Sequence, residues 1–358
     1  MALSACGSSG TSDSVITLNS AACGGTWELS GPGWHTFQLR NANTVAAEVD
    51  LVDPGTGGIY AEVNDLGPGT TAPMSLDVGS GSYAFRCLFD EQDPLTGPTV
   101  TVAGHAAGAA AVVPITYNDL IGPAKEDEAY VEQGLETLAG QVATLKGDVL
   151  RGDLAAARRD WLTAHLTYER LGSAYNAFGN FDDEIDERAD ALGLSNPRWT
   201  GFYRIEYGLW HGQGARELRP YAVLLASDVA ALLRSWPQTQ ISLVDLGRRA
   251  HEILENALEY QLTGHDDYGS NTTIDTTLAN IAGTRELLTV LRPLLAPRYP
   301  GLPAVYADLG RLQSLLEPVL GAAIPALPAR TRQAIDASCD QAVEDLAPIA
   351  SITEPRNT

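Results

Sequence analysis

Three pairs of side chains in this sequence have the spacing at which one helix presents two ligands together. His165 and Glu169 stand four apart in "RRDWLTAHLTYERLGSAYNAF", and Tyr203 and Glu206 stand three apart in "TGFYRIEYGLWHG". His251 and Glu255 stand four apart in "AHEILENALEYQL". Residues at either spacing share one helix face. An acidic run, "FGNFDDEIDER", adds Asp182, Asp183, Glu184 and Asp186. Imidazole and carboxylate groups projecting inward from separate helices are how bundles build internal metal sites. Glu206 is the sharpest of the set. Phe202, Ile205, Tyr207, Leu209 and Trp210 leave it little solvated face, so its charge needs a partner. Either a metal or a buried arginine, Arg204 or Arg170, meets that need. The competing reading of the two His–Glu pairs is a solvated contact worth about a few tenths of a kcal/mol.

These groups lie in a half of the chain with helical grammar. From "ITYNDLIGPAKEDEAYVEQG" onward, apolar residues recur at helical spacing. Further helices are predicted over 153–178, 220–235, 242–263, 271–296, 303–318 and 328–349, with breaks rich in Gly, Pro, Asp and Asn. The expected architecture is all-helical over 117–352, as two linked four-helix bundles. Residues 14–104 read differently. "HTFQLRN", "TVAAEVDLV", "IYAEV", "MSLDV" and "SYAFRCLF" are short, partly alternating and bounded by turn clusters such as "DPGTGG". That pattern predicts a β-sandwich of about seven strands. The small-residue stretch across 105–116 reads as a linker.

The whole chain has 358 residues, enough for two or more domains, and 44% hydrophobic composition, enough for real cores. Its net charge is −22, from 45 acidic against 23 basic residues. Such a surface repels nucleic acid and anionic membranes. No apolar run approaches the ~20 residues that span a bilayer. The four cysteines form no CxxC pair, which argues against a zinc ribbon or thioredoxin-type motif. Cys6 ends "LSAC", which fits a bacterial lipobox, and "GSSGTSDS" follows as a polar tether over residues 1–13. This predicts an exported protein held at the outer face of the cell membrane by a lipid on Cys6.

The segments "RRDWLTAHLTYERLGSAYNAFGNFDDEIDERAD", "WTGFYRIEYGLWHG" and "AHEILENALEYQLTGHDDYGSNTTIDTTLANIAGT" resemble the EfeO-type iron-uptake lipoproteins of the imelysin-like superfamily. The resemblance covers nearly all of the helical half. It implies a cupredoxin-like domain ahead of the imelysin-like one. It also implies an iron-binding role beside a membrane permease and, often, a haem peroxidase. The family signature G-x-H-x-x-E is a metal site, and "GFYRIE" carries Tyr203 where the histidine is expected and keeps Glu206. A phenolate is a hard oxygen donor, suited to ferric iron. The resemblance therefore implies an oxygen-rich site from His165, Glu169, Asp182, Tyr203 and Glu206, with Glu255 as a further candidate. Iron is the expected metal, ferric ahead of ferrous, with copper and zinc as alternatives.

For the β-domain the exported setting favours a Cys23–Cys87 disulfide over a thiolate metal ligand. Blue copper needs two histidines, a cysteine and usually a methionine, and "LFDEQDPLTG" after Cys87 has neither histidine nor methionine. A hard-metal site there would draw on Glu48, Glu62, Asp90 and Glu91, with Glu62 and Asp90 matching the family best. Two other functions compete with iron transport. The superfamily's peptidase label points to hydrolysis, but no HExxH is present. Polyanionic-sugar binding is known among shorter relatives, and the −22 charge opposes it.

Overall fold

The computed structural model describes residues 12–90, 92–190 and 193–356, so Cys6, most of the tether and Glu91 lie outside it. The chain divides at Pro114 and Ile115 into a β unit and a helical unit.

In the β unit, strands alternate because alternate residues face one core. The elements are β1 (Ser12–Asn19), β2 (Ala22–Cys23), β3 (Gly33–Asn41), β4 (Ala47–Val52) and β5 (Ile59–Leu66), then β6 (Thr71–Val78), β7 (Gly81–Phe89), β8 (Leu95–Thr96) and β9 (Val100–Val102). In β3, His35, Phe37, Leu39 and Asn41 are buried, while Trp34 and Arg40 are exposed. One sheet has the order β2-β1-β3-β6, with β1 parallel to β3. The other has the order β5-β4-β7-β8, and β9 also pairs with β7. Trp27, Phe37 and Phe85 pack edge to face in the core between them. Cys23 and Cys87 form a disulfide that joins β2 of the first sheet to β7 of the second.

The stretch read as a linker belongs mostly to this unit. Ala109 N donates to Asp77 O at 2.7 Å, and Val112 bridges to Ile59. Its small residues have a packing reason: a Cβ on Gly108 would come within 2.1 Å of the Gly79 backbone nitrogen.

The helical unit runs α1 (Tyr117–Arg151), α2 (Leu154–Glu169), α3 (Tyr175–Phe178), α4 (Asn180–Asp186), α5 (Gly201–Trp210) and α6 (Ala215–Ser235). It continues with α7 (Leu243–Asn256), α8 (Thr273–Leu295), α9 (Leu302–Leu316), α10 (Ala329–Leu346) and α11 (Pro348–Ile352). Thr116 and Asp119 form a capping box at the start of α1, and Gly152 closes it at φ 80°. The first four long helices and α7–α10 pack as two groups, but α8 also packs on α1 and α2. One large apolar core runs through both groups, and a smaller cluster of Ala189, Trp199, Tyr203 and Tyr268 lies apart from it.

The predicted helix over 153–178 breaks at Glu169. Arg170 begins an irregular corner in which Gly172 and the facing Gly283 allow close approach: a Cβ on Gly283 would sit 2.5 Å from Arg170 O. The chain then re-enters helix as α3 and α4, which periodicity alone had merged into α2 or left undefined.

Candidate metal centre

The site is built on α2, α4 and α5. Trp161 Nε1 donates to Phe202 O at 2.9 Å and fastens α2 to α5. Gly201 starts α5 at φ 82°, and a Cβ there would lie 2.2 Å from Ile185 O. Only glycine tolerates both the left-handed backbone and that approach. The contact holds the end of α4 against the start of α5, and so brings Asp186 over α2.

There, His165 Nε2 lies 3.1 Å from Glu169 Oε1 and 3.2 Å from Asp186 Oδ1. His165 and Glu169 are buried at 1% and 3% exposure. Neither contact has hydrogen-bond geometry: both ring nitrogens of His165 and Asp186 Oδ1 are buried atoms with no hydrogen-bond partner. Orphaned buried polar groups of this kind are costly and call for an explanation. Donors sharing one ion at about 2.0–2.2 Å stand roughly 3–3.5 Å apart, which is the spacing of the His165 nitrogen from each carboxylate here. Nitrogen with two carboxylates is a donor set suited to a borderline or hard cation. Burial lowers the His165 pKa, but Asp186 and Glu169 outweigh it and raise the imidazole well above its ordinary value. Burial pushes Asp186 up in turn.

A cavity of about 130 Å³ opens beside these groups, and Glu169, Asp182, Asp186, Tyr203, Arg188 and Arg249 line it. Asp182 accepts a hydrogen bond from Tyr168 OH, and burial raises its pKa to about 6. Tyr203, 2% exposed, packs edge-on to His165 and donates to Asp266 Oδ2 at 3.1 Å. Gln261 Nε2 donates to the same oxygen at 2.8 Å from a π-helical turn, Ala257–Gln261. Such turns occur often at functional sites. Burial is the main cause that lifts Asp266 to about 6 and Tyr203 well above the usual phenol range.

Glu206 pairs with no arginine among the described residues, and backbone amides hold one of its oxygens. Its Oε1 accepts from the backbone amides of Tyr268 and Ser270, each at 3.0 Å, so the carboxylate anchors the loop "GHDDYGSN". Burial raises it to about 7 against the pull of those Ser270 contacts. Arg204 instead donates to Gln213 and stacks on Tyr221, and Arg170 donates to Leu166 O. Glu255 is exposed and stands outside the cavity lining. The helical period sets Arg249, Ile253 and Asn256 of α7 along the cavity and leaves Glu255 outside that face.

Among the described residues, one other acidic group is compact: Glu48, Asp50 and Glu62. Strand register brings them together, since Asp50 pairs with Glu62 on one side and Arg86 on the other. Asp50 Oδ2 accepts from Arg86 Nε at 3.1 Å and Nη2 at 2.9 Å. Asp90 does not join Glu62: it follows the end of β7 and is exposed.

Asp186 was named in the acidic run but not placed in the site. Its i,i+4 spacing from Asp182 matched that of His165 and Glu169 and was the available signal. Gln261, Arg188 and Arg249 carried no signal in local spacing, because each reaches the cavity through a turn or a neighbouring helix, and neither did Asp266, which meets the cavity only through Tyr203 and Gln261.

Residues 126–351 match the family model described as Imelysin (Peptidase_M75), and the chain belongs to that family. Over 84% of this chain and 79% of theirs, it is 28% identical to a Yersinia pestis protein named iron uptake system component EfeO. The Escherichia coli K12 protein of that name is 25% identical over 84% of this chain and 80% of its own. The Pseudomonas syringae iron uptake system component EfeM is 28% identical over 52% of this chain and 65% of its own.

Proposed function

We propose that this protein is the exported iron-binding component of an iron-uptake system. In this reading it takes iron at His165, Glu169 and Asp186 and passes it to a membrane permease. The observation that carries the reading is the convergence of one imidazole nitrogen and two carboxylate oxygens, at 3.1 and 3.2 Å, in a buried site. The names of the similar proteins support iron as the cargo. Asp182 and Tyr203 on the same cavity add hard oxygen donors, which favours ferric over ferrous iron and disfavours softer metals such as copper(I). Lipidation of Cys6 would keep the protein at the outer face of the cell membrane, near its permease and, where the system has one, a haem peroxidase.

The test is direct titration of Fe(III), Fe(II), Zn(II) and Cu(II) into purified protein, beside Glu169→Gln and Asp186→Asn. Iron bound by the wild type and lost in both variants is the expected result. Iron bound equally by all three proteins overturns the site. Glu169-dependent cleavage of peptides would replace this reading with the hydrolytic one.

A further inference from the structure

Two arginines share the cavity with the carboxylates, and they are held differently. Arg249 is committed: Nε and Nη2 donate to Gly172 O at 2.8 and 2.6 Å, and Nη1 donates to Glu252 at 3.1 Å. The Arg188 guanidinium lies over the Tyr260 ring, 3.6 Å from its centroid. Its contact with Asp190 Oδ2 is 4.0 Å, at the limit of an ion pair. With its flat face on the ring, the planar edge of N–H donors stays clear of that contact, and the side chain, 34% exposed overall, is among those that line the cavity.

A guanidinium beside a buried cation site is electrostatically unfavourable unless an anion stands between them. The lining holds three carboxylates, Glu169, Asp182 and Asp186, against Arg188 and Arg249. A ferric ion therefore turns the lining net positive. The compact donor group would fill three positions on iron, and with Asp182 or Tyr203 as a fourth a six-coordinate ion still keeps two open. Both deficits, of charge and of donors, point to the same kind of ligand. The cavity, about 130 Å³ and lined mostly by polar and charged side chains, has room for a small polar ligand beside the carboxylates.

We propose that the site takes iron together with a small bidentate oxyanion of the carbonate or oxalate class, gripped by the N–H edge of Arg188. This rests on the iron-binding reading above and specifies the form of the cargo. Arg188 matches such an anion because its fork of donors pairs with two oxygens at once.

The test uses the whole protein in carbon-dioxide-free buffer, loaded with ferrous sulfate and air-oxidised, with or without bicarbonate or oxalate. Iron retained after gel filtration and the visible spectrum are read together. Retention against a competing chelator should rise about tenfold or more with the anion in the wild type. That gain should vanish in Arg188→Gln and return in part in Arg188→Lys, which restores charge without the fork. Melting curves show that each variant is folded. Equal retention with and without anion overturns the proposal and leaves the iron site standing. An undiminished gain in Arg188→Gln also overturns it. If the wild type retains no iron under either condition, both readings fall.

Discussion

Asp186 Oδ1 stands 3.2 Å from His165 Nε2, across two helices that the sequence separates by a corner and a short turn. Glu169 reaches the same nitrogen from the other direction, within α2 itself. The site therefore depends on the α4–α5 contact as much as on its ligands.

His165→Ala and Asp186→Asn should each weaken iron binding by more than the about 10–100-fold typical of losing a supporting group. Glu255→Gln, on an exposed position, should leave binding unchanged. Isothermal titration of the three variants decides this, and a strong effect at Glu255 would place the site elsewhere.

Gly201→Ala should damage the same site without touching a ligand. The added Cβ meets Ile185 O at 2.2 Å on a left-handed backbone, so the end of α4 must shift. Iron affinity should fall together with stability, the strain costing about 1 kcal/mol or more. Calorimetry beside metal titration measures both.

Tyr203→Phe should keep the fold, since the ring contacts with His165 and Tyr268 survive and Gln261 still donates to Asp266. If the phenol binds ferric iron as proposed, the visible tyrosinate-to-iron band disappears and affinity drops by about 10–100-fold. An unchanged spectrum would confine Tyr203 to its hydrogen bond with Asp266.

Glu206 tests the loop anchor. Glu206→Ala leaves the amides of Tyr268 and Ser270 without their acceptor, at a cost on the order of 1–3 kcal/mol for the buried Tyr268 amide and less for the half-buried one of Ser270. Glu206→Gln keeps a carbonyl oxygen at the same place and should lose much less. Chemical denaturation separates the two, and equal losses would sink the anchor role.

The pH dependence follows from carboxylates whose pKa burial has raised: Asp182 and Asp266 to about 6, Glu206 to about 7. Unfolded carboxylates titrate near ~4. Between those values the folded chain binds more protons than the unfolded one, so these groups' contribution to stability declines as pH rises. It is complete below about pH 4 and lost through about pH 6 to 7. Iron binding runs the other way, because ligands must shed protons to bind. The metal-free melting temperature should therefore fall from pH 5 to pH 8 less steeply in Glu206→Gln than in the wild type. The melting shift caused by iron should grow over the same range.

The sequence by itself determined the two grammars and the local His165–Glu169 pair. Alternation in strands and three-to-four spacing in helices are set by backbone geometry, so β3 and α2 announce their buried faces, and His165 with Glu169 falls within one turn. The disulfide partners were legible for a similar reason, since an oxidising setting and two cysteines within the strand-rich half leave few choices. Tertiary structure alone decided the rest. It assigned Glu206 to two loop amides, because backbone donors in "GHDDYGSN" carry no side-chain signature. It set Glu255 apart from the site, because which stripe of α7 faces inward depends on what packs against it. It brought in Asp186, Asp266 and Arg188, because a turn's path through space, fixed here by Gly201 against Ile185 and by the anchored loop, is a property of packing between distant segments. Spacing along a chain encodes neighbours on one element, and a metal centre is made of neighbours from several.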